Sequence, residues 1–229
     1  MKIVEIFSSI DGEGIRTGYL CTFIRTYGCN LRCNYCDSLY ASTNNNYSEM
    51  SISEIVKKCS ELGNERITLT GGEPLIQPNV IDLISCLLES GFEVNIETNG
   101  SVDIFDIRSK VNSRCLEHIE NLFFTIDFKC PGSGMNSEMQ MCNFIRNSRR
   151  NDVVKFVVSD RNDLDTMRTI VGTMTEMLKS NLPYIFVSPV FGRIKPVEIV
   201  DYLKEYSMQT VRVQLQIHKL IWDPNERGV

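Results

Sequence analysis

Short β-rich apolar runs and helical stripes alternate along almost the entire chain, and that order specifies parallel strands joined by right-handed helical crossovers. Residues 2–7, 19–27, 66–70, 92–97, 122–126, 152–158, 184–187 and 211–216 read as strands. Residues 51–62 read as a helix: Ser51 and Glu54 have capping-box spacing, and Ile52, Ile55, Val56, Cys59 and Leu62 make one apolar stripe. A second helix starts at Pro78 and stops at Gly91, a third carries Leu164 through Leu178, and a fourth spans 196–206. The methionines of the third are expected to fill core space. At 229 residues the chain falls slightly short of the ~250 of an eightfold α/β barrel. The expected architecture is therefore a single α/β domain, residues 1–229: a parallel sheet of about six strands in an incomplete TIM-like barrel, open on one side.

Between the second strand and the first helix lies CNLRCNYC, which sets Cys29, Cys33 and Cys36 at C-x3-C-x2-C. Thiolates at such spacing hold zinc or an iron-sulfur cluster, and a 4Fe-4S cluster ordinarily takes four of them. Three would leave one iron open to an exogenous ligand. The zinc alternative needs a fourth ligand from the six other cysteines or two histidines. An odd total of nine cysteines argues for metal ligands plus buried thiols, with Cys21, Cys59 and Cys86 on apolar faces. The start of the chain is too short and charged for a signal peptide, and no apolar run approaches the ~20 residues of a membrane span. The expected location is cytoplasmic, away from membranes. Net charge is −5 with scattered basic residues, so nucleic acid is not expected as a direct substrate.

The unusual residues gather at strand ends. The cysteine loop, Gly71 to Pro74, Thr98 to Gly100, Asp127 to Lys129, Ser188-Pro189 and His218 all follow predicted strands directly. In a parallel sheet those positions share one mouth, where ligands bind. A structural zinc knuckle gives no reason for such alignment. Near the start, Gly12 and Gly14 flank Glu13, which lets backbone approach a ligand with a carboxylate held between the glycines.

Taken in order, the motifs EIF with GEG, R-x-x-G-C-N-x-x-C-x-x-C-D-S, TGGEP, ETNG and terminal H-K-x-x-W with R-G-V cover nearly the whole length. In that order the chain resembles the 7-carboxy-7-deazaguanine synthase family of radical SAM enzymes. The resemblance implies a partial radical SAM barrel and a carbon–nitrogen lyase of queuosine and deazapurine biosynthesis. Such an enzyme converts 6-carboxy-5,6,7,8-tetrahydropterin into 7-carboxy-7-deazaguanine with loss of ammonia. It implies a homodimer, a reducing partner such as flavodoxin or ferredoxin, and three cofactors: a 4Fe-4S cluster, S-adenosylmethionine (SAM) and Mg2+. Cys29, Cys33 and Cys36 would hold the cluster, whose open iron SAM chelates, and the resulting 5'-deoxyadenosyl radical would take hydrogen from substrate C6.

Under the same resemblance, Tyr35 would lie near the adenine, and Cys36, Asp37, Gly71, Gly72, Glu73, Gly100, Asp127, Lys129 and Ser188 would contact SAM, Glu73 meeting its ammonium. Ser38 would coordinate Mg2+, a helix cap being the plainer reading of that serine. Glu13 would accept from the pterin's guanidine-like edge and Arg25 would grip its carboxylate. Ile10, Asp11, Gly12, Thr98, His218 and Pro224 would complete the substrate contacts. Two alternatives are a radical SAM activase that installs a glycyl radical on a partner protein, and a non-catalytic metal-binding or electron-carrier protein.

Overall fold

The computed structural model describes all residues except Asn44, Pro224, Asn225 and Val229. One sheet takes nine strands in the order β3-β1-β2-β4-β5-β6-β7-β8-β9. They are β1 (Lys2–Ile10), β2 (Leu20–Thr26), β3 (Ser48–Glu49), β4 (Arg66–Gly71), β5 (Glu93–Thr98), β6 (Leu122–Phe128), β7 (Val153–Val158), β8 (Tyr184–Pro189) and β9 (Val211–Val213). From β2 to β9 every pairing is parallel, whereas β1 runs antiparallel to both β2 and β3. The sheet is thus larger than the expected six strands: all eight runs read as strands join it, β1 doubling back antiparallel to β2, and the two-residue β3, which has no hydrophobic signature of its own, makes the ninth.

Crossovers are made by α2 (Ile52–Leu62), α3 (Val80–Glu89), α4 (Ile104–Asn112), α5 (Arg161–Leu178) and α6 (Pro196–Glu205), while α1 (Tyr40–Thr43) and α7 (His218–Ile221) are single turns. The Ser51–Glu54 capping box forms as the spacing predicts, and Ile55 and Cys59 of α2 are fully buried. Met167 and Met174 of α5 are buried; Met177 is exposed. No helix among the described residues is long and apolar enough to cross a membrane.

Strand alternation separates two faces. Ile67 and Leu69, Val94 and Ile96, Phe124, Ile126 and Phe128, Val154, Phe156 and Val158, and Ile185 and Val187 join the apolar core. Their alternates include Arg25, Thr70, Glu97, Thr125, Asp127 and Lys155, which face a cavity on the concave side of the sheet. A half-barrel with a polar inner face needs something to fill its floor. The connection between β1 and β2 does so: Arg16, 5% exposed, donates to the Ile67 carbonyl at 3.1 Å, to Thr68 Oγ1 at 2.5 Å and to Glu93 Oε1 at 3.2 Å, all at the N-terminal ends of β4 and β5. Gly14 N donates to Gln214 Oε1 at 2.7 Å, and Gln214 Nε2 donates to Thr17 Oγ1 at 2.7 Å, tying this floor to the chain just after β9.

Candidate active site

The concave face and the loops above it enclose a cavity of about 730 Å³, in the range of small-molecule sites. Cys29, Cys33 and Cys36 all border it from the loop after β2. The TGGEP turn lies hard against that loop: a Cβ on Gly72 would meet the Gly28 carbonyl oxygen at 2.3 Å and Cys29 Cβ at 2.8 Å, so only glycine permits the approach. Cys29 Sγ accepts from Leu31 N at 3.4 Å and Asn99 Nδ2 at 3.7 Å. Burial raises the Cys29 and Cys33 thiols above their ordinary pKa; Leu31 N–H pulls Cys29 the other way, as Lys129 does Cys33. Among the described residues, no three His, Cys, Asp or Glu side chains close on a single ion, and no fourth cysteine lines this cavity. Three thiols, Cys29 with two N–H donors, opening on a cavity wider than a single-ion site, fit a 4Fe-4S cluster with one iron free of protein sulfur.

Deeper in the cavity, Glu13 stands on the floor segment and pairs through Oε2 with Lys155 Nζ of β7. Glu13 Oε1 is buried and has no hydrogen-bond partner. Burial alone would raise the Glu13 pKa, but Lys155, helped by Gln216 and His218, outweighs it and holds the carboxylate below its ordinary value. Gly12 packs on His218, since a Cβ there would lie 2.3 Å from His218 Nδ1. Burial lowers the His218 pKa, with Glu13 pulling the other way.

Arg25 lines the cavity with its Nε held by Glu5 Oε1 at 2.7 Å, and Tyr40 Oη donates to the same oxygen at 2.8 Å. Tyr35 also lines the cavity and donates from Oη to the Val157 carbonyl at 3.1 Å. Lys129 Nζ pairs with Asp127 Oδ2 at 2.6 Å, which leaves the buried Asp127 Oδ1 without a partner. Asp37, more than half exposed at its side chain, pairs with Lys219 at 3.0 Å. Ser38 borders the cavity with its Oγ 3.9 Å from Cys36 Sγ.

Several expected contacts are placed differently. Glu73 is fully buried away from the cavity: Oε1 accepts from Leu75 N at 3.0 Å and Thr98 Oγ1 at 2.9 Å, and Oε2 accepts from Asn99 N at 2.7 Å. The carboxylate that was to meet SAM instead pins the TGGEP and ETNG turns together, which also occupies the Thr98 hydroxyl. Burial pushes the Glu73 pKa up to about 7, the three donors pulling it down. Gly100 is a packing glycine at φ +78°, where a Cβ would sit 2.9 Å from Phe144 Cζ. Ser188 is buried at the end of β8 with an unpartnered hydroxyl and does not line the cavity. Asp11 borders the cavity and turns its carboxylate to Arg16 Nε at 2.9 Å and Thr68 Oγ1 at 3.1 Å, so its side chain is engaged by the floor. Ile10, Gly12 and Gly71 border the cavity. Pro224 lies outside the described residues.

Sequence reasoning passed over Lys155, Glu97 and Gln216, which all line the cavity. Lys155 had a readable signal, being one cation in the apolar strand VVKFVV, where alternation sets it apart from Val154 and Phe156. Glu97 was read only as part of a strand-end motif, and its Oε2 accepts from Thr70 Oγ1 at 3.1 Å.

Comparison with known proteins follows the same lines. Residues 23–122 match the radical SAM superfamily. A 7-carboxy-7-deazaguanine synthase from Clostridium acetobutylicum is 44% identical over 230 aligned residues, covering 100% of this chain and 99% of the relative. One from Methanospirillum hungatei is 36% identical, covering 98% and 86%. In fold, the chain is similar to the crystal structure of QueE from Escherichia coli, with a TM-score of 0.70, 20% identity, and coverage of 93% and 92%.

Proposed function

Because this chain belongs to the 7-carboxy-7-deazaguanine synthase family of radical SAM enzymes, we infer that it converts 6-carboxy-5,6,7,8-tetrahydropterin into 7-carboxy-7-deazaguanine with loss of ammonia. The observation that carries this reading is one cavity with three thiols at its mouth and a carboxylate and a guanidinium, Glu13 and Arg25, further in. Cys29, Cys33 and Cys36 would hold the 4Fe-4S cluster. When bound, cluster and SAM together supply the radical chemistry that removes hydrogen from substrate C6.

The chain's own residues bind, orient and shield. Gly71 and Gly72, packed on Thr26 and Gly28, hold the TGGEP turn against the cysteine loop at the edge of the space SAM would occupy, and Tyr35 offers a ring for its adenine. Asp127, with one unpartnered oxygen, is suited to a donor group of SAM, its neighbour Lys129 balancing the charge. Ser38 offers a hydroxyl to Mg2+, an ion that keeps few protein ligands. Glu13 Oε1 accepts from the pterin's guanidine-like edge, while Arg25, its Nε already fixed by Glu5, grips the substrate carboxylate with its remaining nitrogens. His218, half-buried beside Gly12, closes the far wall.

The remaining assignments are a single domain over 1–229, a homodimer, a cytoplasmic location and a reducing partner of the flavodoxin or ferredoxin kind. One sheet that draws strands from both ends of the chain supports the first. The deciding experiment incubates anaerobically reconstituted protein with SAM, reductant and 6-carboxy-5,6,7,8-tetrahydropterin. Formation of 7-carboxy-7-deazaguanine is expected. SAM cleavage without that product would leave only the superfamily standing.

A further inference from the structure

We propose that Lys155 is a positioning residue for substrate: by pairing with Glu13 Oε2 it keeps this carboxylate charged in the cavity and leaves Oε1 free to accept from the pterin. The inference rests on the reading of Glu13 as a substrate contact and adds to it the residue that makes Glu13 fit for the task.

The geometry is unusual for a buried acid. The Glu13 side chain is only 8% exposed, on a segment that crosses the floor of a half-barrel, and burying an ionised carboxylate without a partner is expensive enough that it takes up a proton instead. A protonated Glu13 would be a weaker acceptor at Oε1 and would bring a hydroxyl donor of its own toward a substrate edge that already consists of donors. Lys155, 11% exposed at its side chain, removes that difficulty from the opposite wall. It reaches Glu13 from β7, 142 residues away in sequence, so the pair exists only in the folded chain. The two oxygens differ: Oε2 carries the ammonium contact, and Oε1 is buried without a hydrogen bond of ordinary geometry, the Gln216 amide being a neutral donor close to the same carboxylate.

The charged groups around the pair support the assignment. Facing Lys155 are Glu13, Asp127 of β6 and Glu97 of β5, with Lys129 repelling it. Facing Glu13 are Lys155, His218 of α7 and the amide of Gln216. Burial works against the Lys155 charge, and the acids around it more than compensate, so its pKa lies well above the ordinary value. Lys155 therefore stays cationic throughout the neutral range, and of the cations near Glu13 it alone is in contact. His218 is a poorer partner, because burial lowers the pKa of that imidazole and no hydrogen bond joins it to Glu13 among those of the described residues.

The test measures equilibrium binding of 6-carboxy-5,6,7,8-tetrahydropterin to cluster-loaded, SAM-bound protein, anaerobically, from about pH 6 to about pH 9, the range in which a buried unpaired Glu titrates. Lys155→Met is expected to raise Kd at pH 7 by roughly ten- to a hundred-fold, the value of a charge-assisted hydrogen bond. Its affinity should recover as pH rises and Glu13 reionises, relative to a wild-type profile that accounts for titration of the pterin itself. Lys155→Arg should stay within a few-fold of wild type, about the spread of a conservative change. In a Glu13→Gln background, where no carboxylate remains at position 13 to be held, adding Lys155→Met should change Kd little.

An unchanged Kd in Lys155→Met overturns the inference, as does a loss equal at every pH or a large further loss in the Glu13→Gln background. If Glu13→Gln itself binds like wild type, the reading of Glu13 is at fault. If it binds weakly while Lys155→Met does not, only the role of Lys155 is withdrawn.

Discussion

Replacing Glu73 by Gln separates two roles for the TGGEP acid. A glutamate at this position gives three buried donors an acceptor: Leu75 N and Thr98 Oγ1 at one oxygen, Asn99 N at the other. Glutamine keeps one carbonyl oxygen for the first two and sets an amide NH2 against the Asn99 N–H. Donor then faces donor at a site where the wild-type distance is 2.7 Å, and the Asn99 amide is left buried and unsatisfied. Such a group costs about 1–3 kcal/mol, and in a chain of this length each kcal/mol lowers Tm by about 2–4 °C. The displacement should also reach the cysteine loop, because Asn99 donates to Asn30 Oδ1 at 3.1 Å and to Cys29 Sγ at 3.7 Å. The assay pairs thermal unfolding of cluster-free Glu73→Gln protein with SAM titration of the reconstituted form. A lower Tm is expected before any cofactor is present. Weakened SAM binding at an unchanged Tm would refute the argument and return the carboxylate to the cofactor.

Two further outcomes follow from the same geometry. Changing any one of Cys29, Cys33 or Cys36 to Ala should abolish reductive SAM cleavage, and continued cleavage in such a variant would show that the ligands had been misassigned. For Asp11, burial pushes the pKa up to about 6, with Arg16 pulling against it. The folded chain therefore holds this proton more tightly than the unfolded one: the associated stability is complete below about pH 4 and is lost as pH rises to about 6. The loss is on the order of 2–3 kcal/mol, from a shift of about two pH units. Asp11→Asn should flatten that stretch of the stability profile, and an undiminished slope in denaturant titrations would assign it to other groups.

The alternation of patterns along the chain was enough to specify a parallel α/β sheet with its chemistry at the strand ends, because period-2 and period-3.6 hydrophobicity are local properties. What escaped is non-local. The helix Ile104–Asn112 has little apolar periodicity because one of its inward positions is Arg108, which is buried only because Asp152, 44 residues on, accepts from it at 2.7 Å. The strand Ser48–Glu49 exists through its pairing with Lys2 and Ile3. In the site, the cysteine loop was legible from spacing, whereas the placement of Glu73 was not. A motif gives the identity of an acid but not the direction in which its turn aims it, and here three donors within 26 residues claim it first. Lys155 lay between these cases, visible as an inward cation but without a sequence clue to its partner.

The hydrogen bond from Gly14 to Gln214 joins residues 200 positions apart. Its consequence concerns the order in which the protein becomes competent. The cysteine loop and both glycine-rich turns are encoded in the first hundred residues and can pack on each other early, but the basin beneath them is sealed only after β9 has been synthesised and docked. A nascent chain, or one clipped just before β9, would present its thiols above an unfinished pocket, so a radical generated there would lack an enclosed reactant.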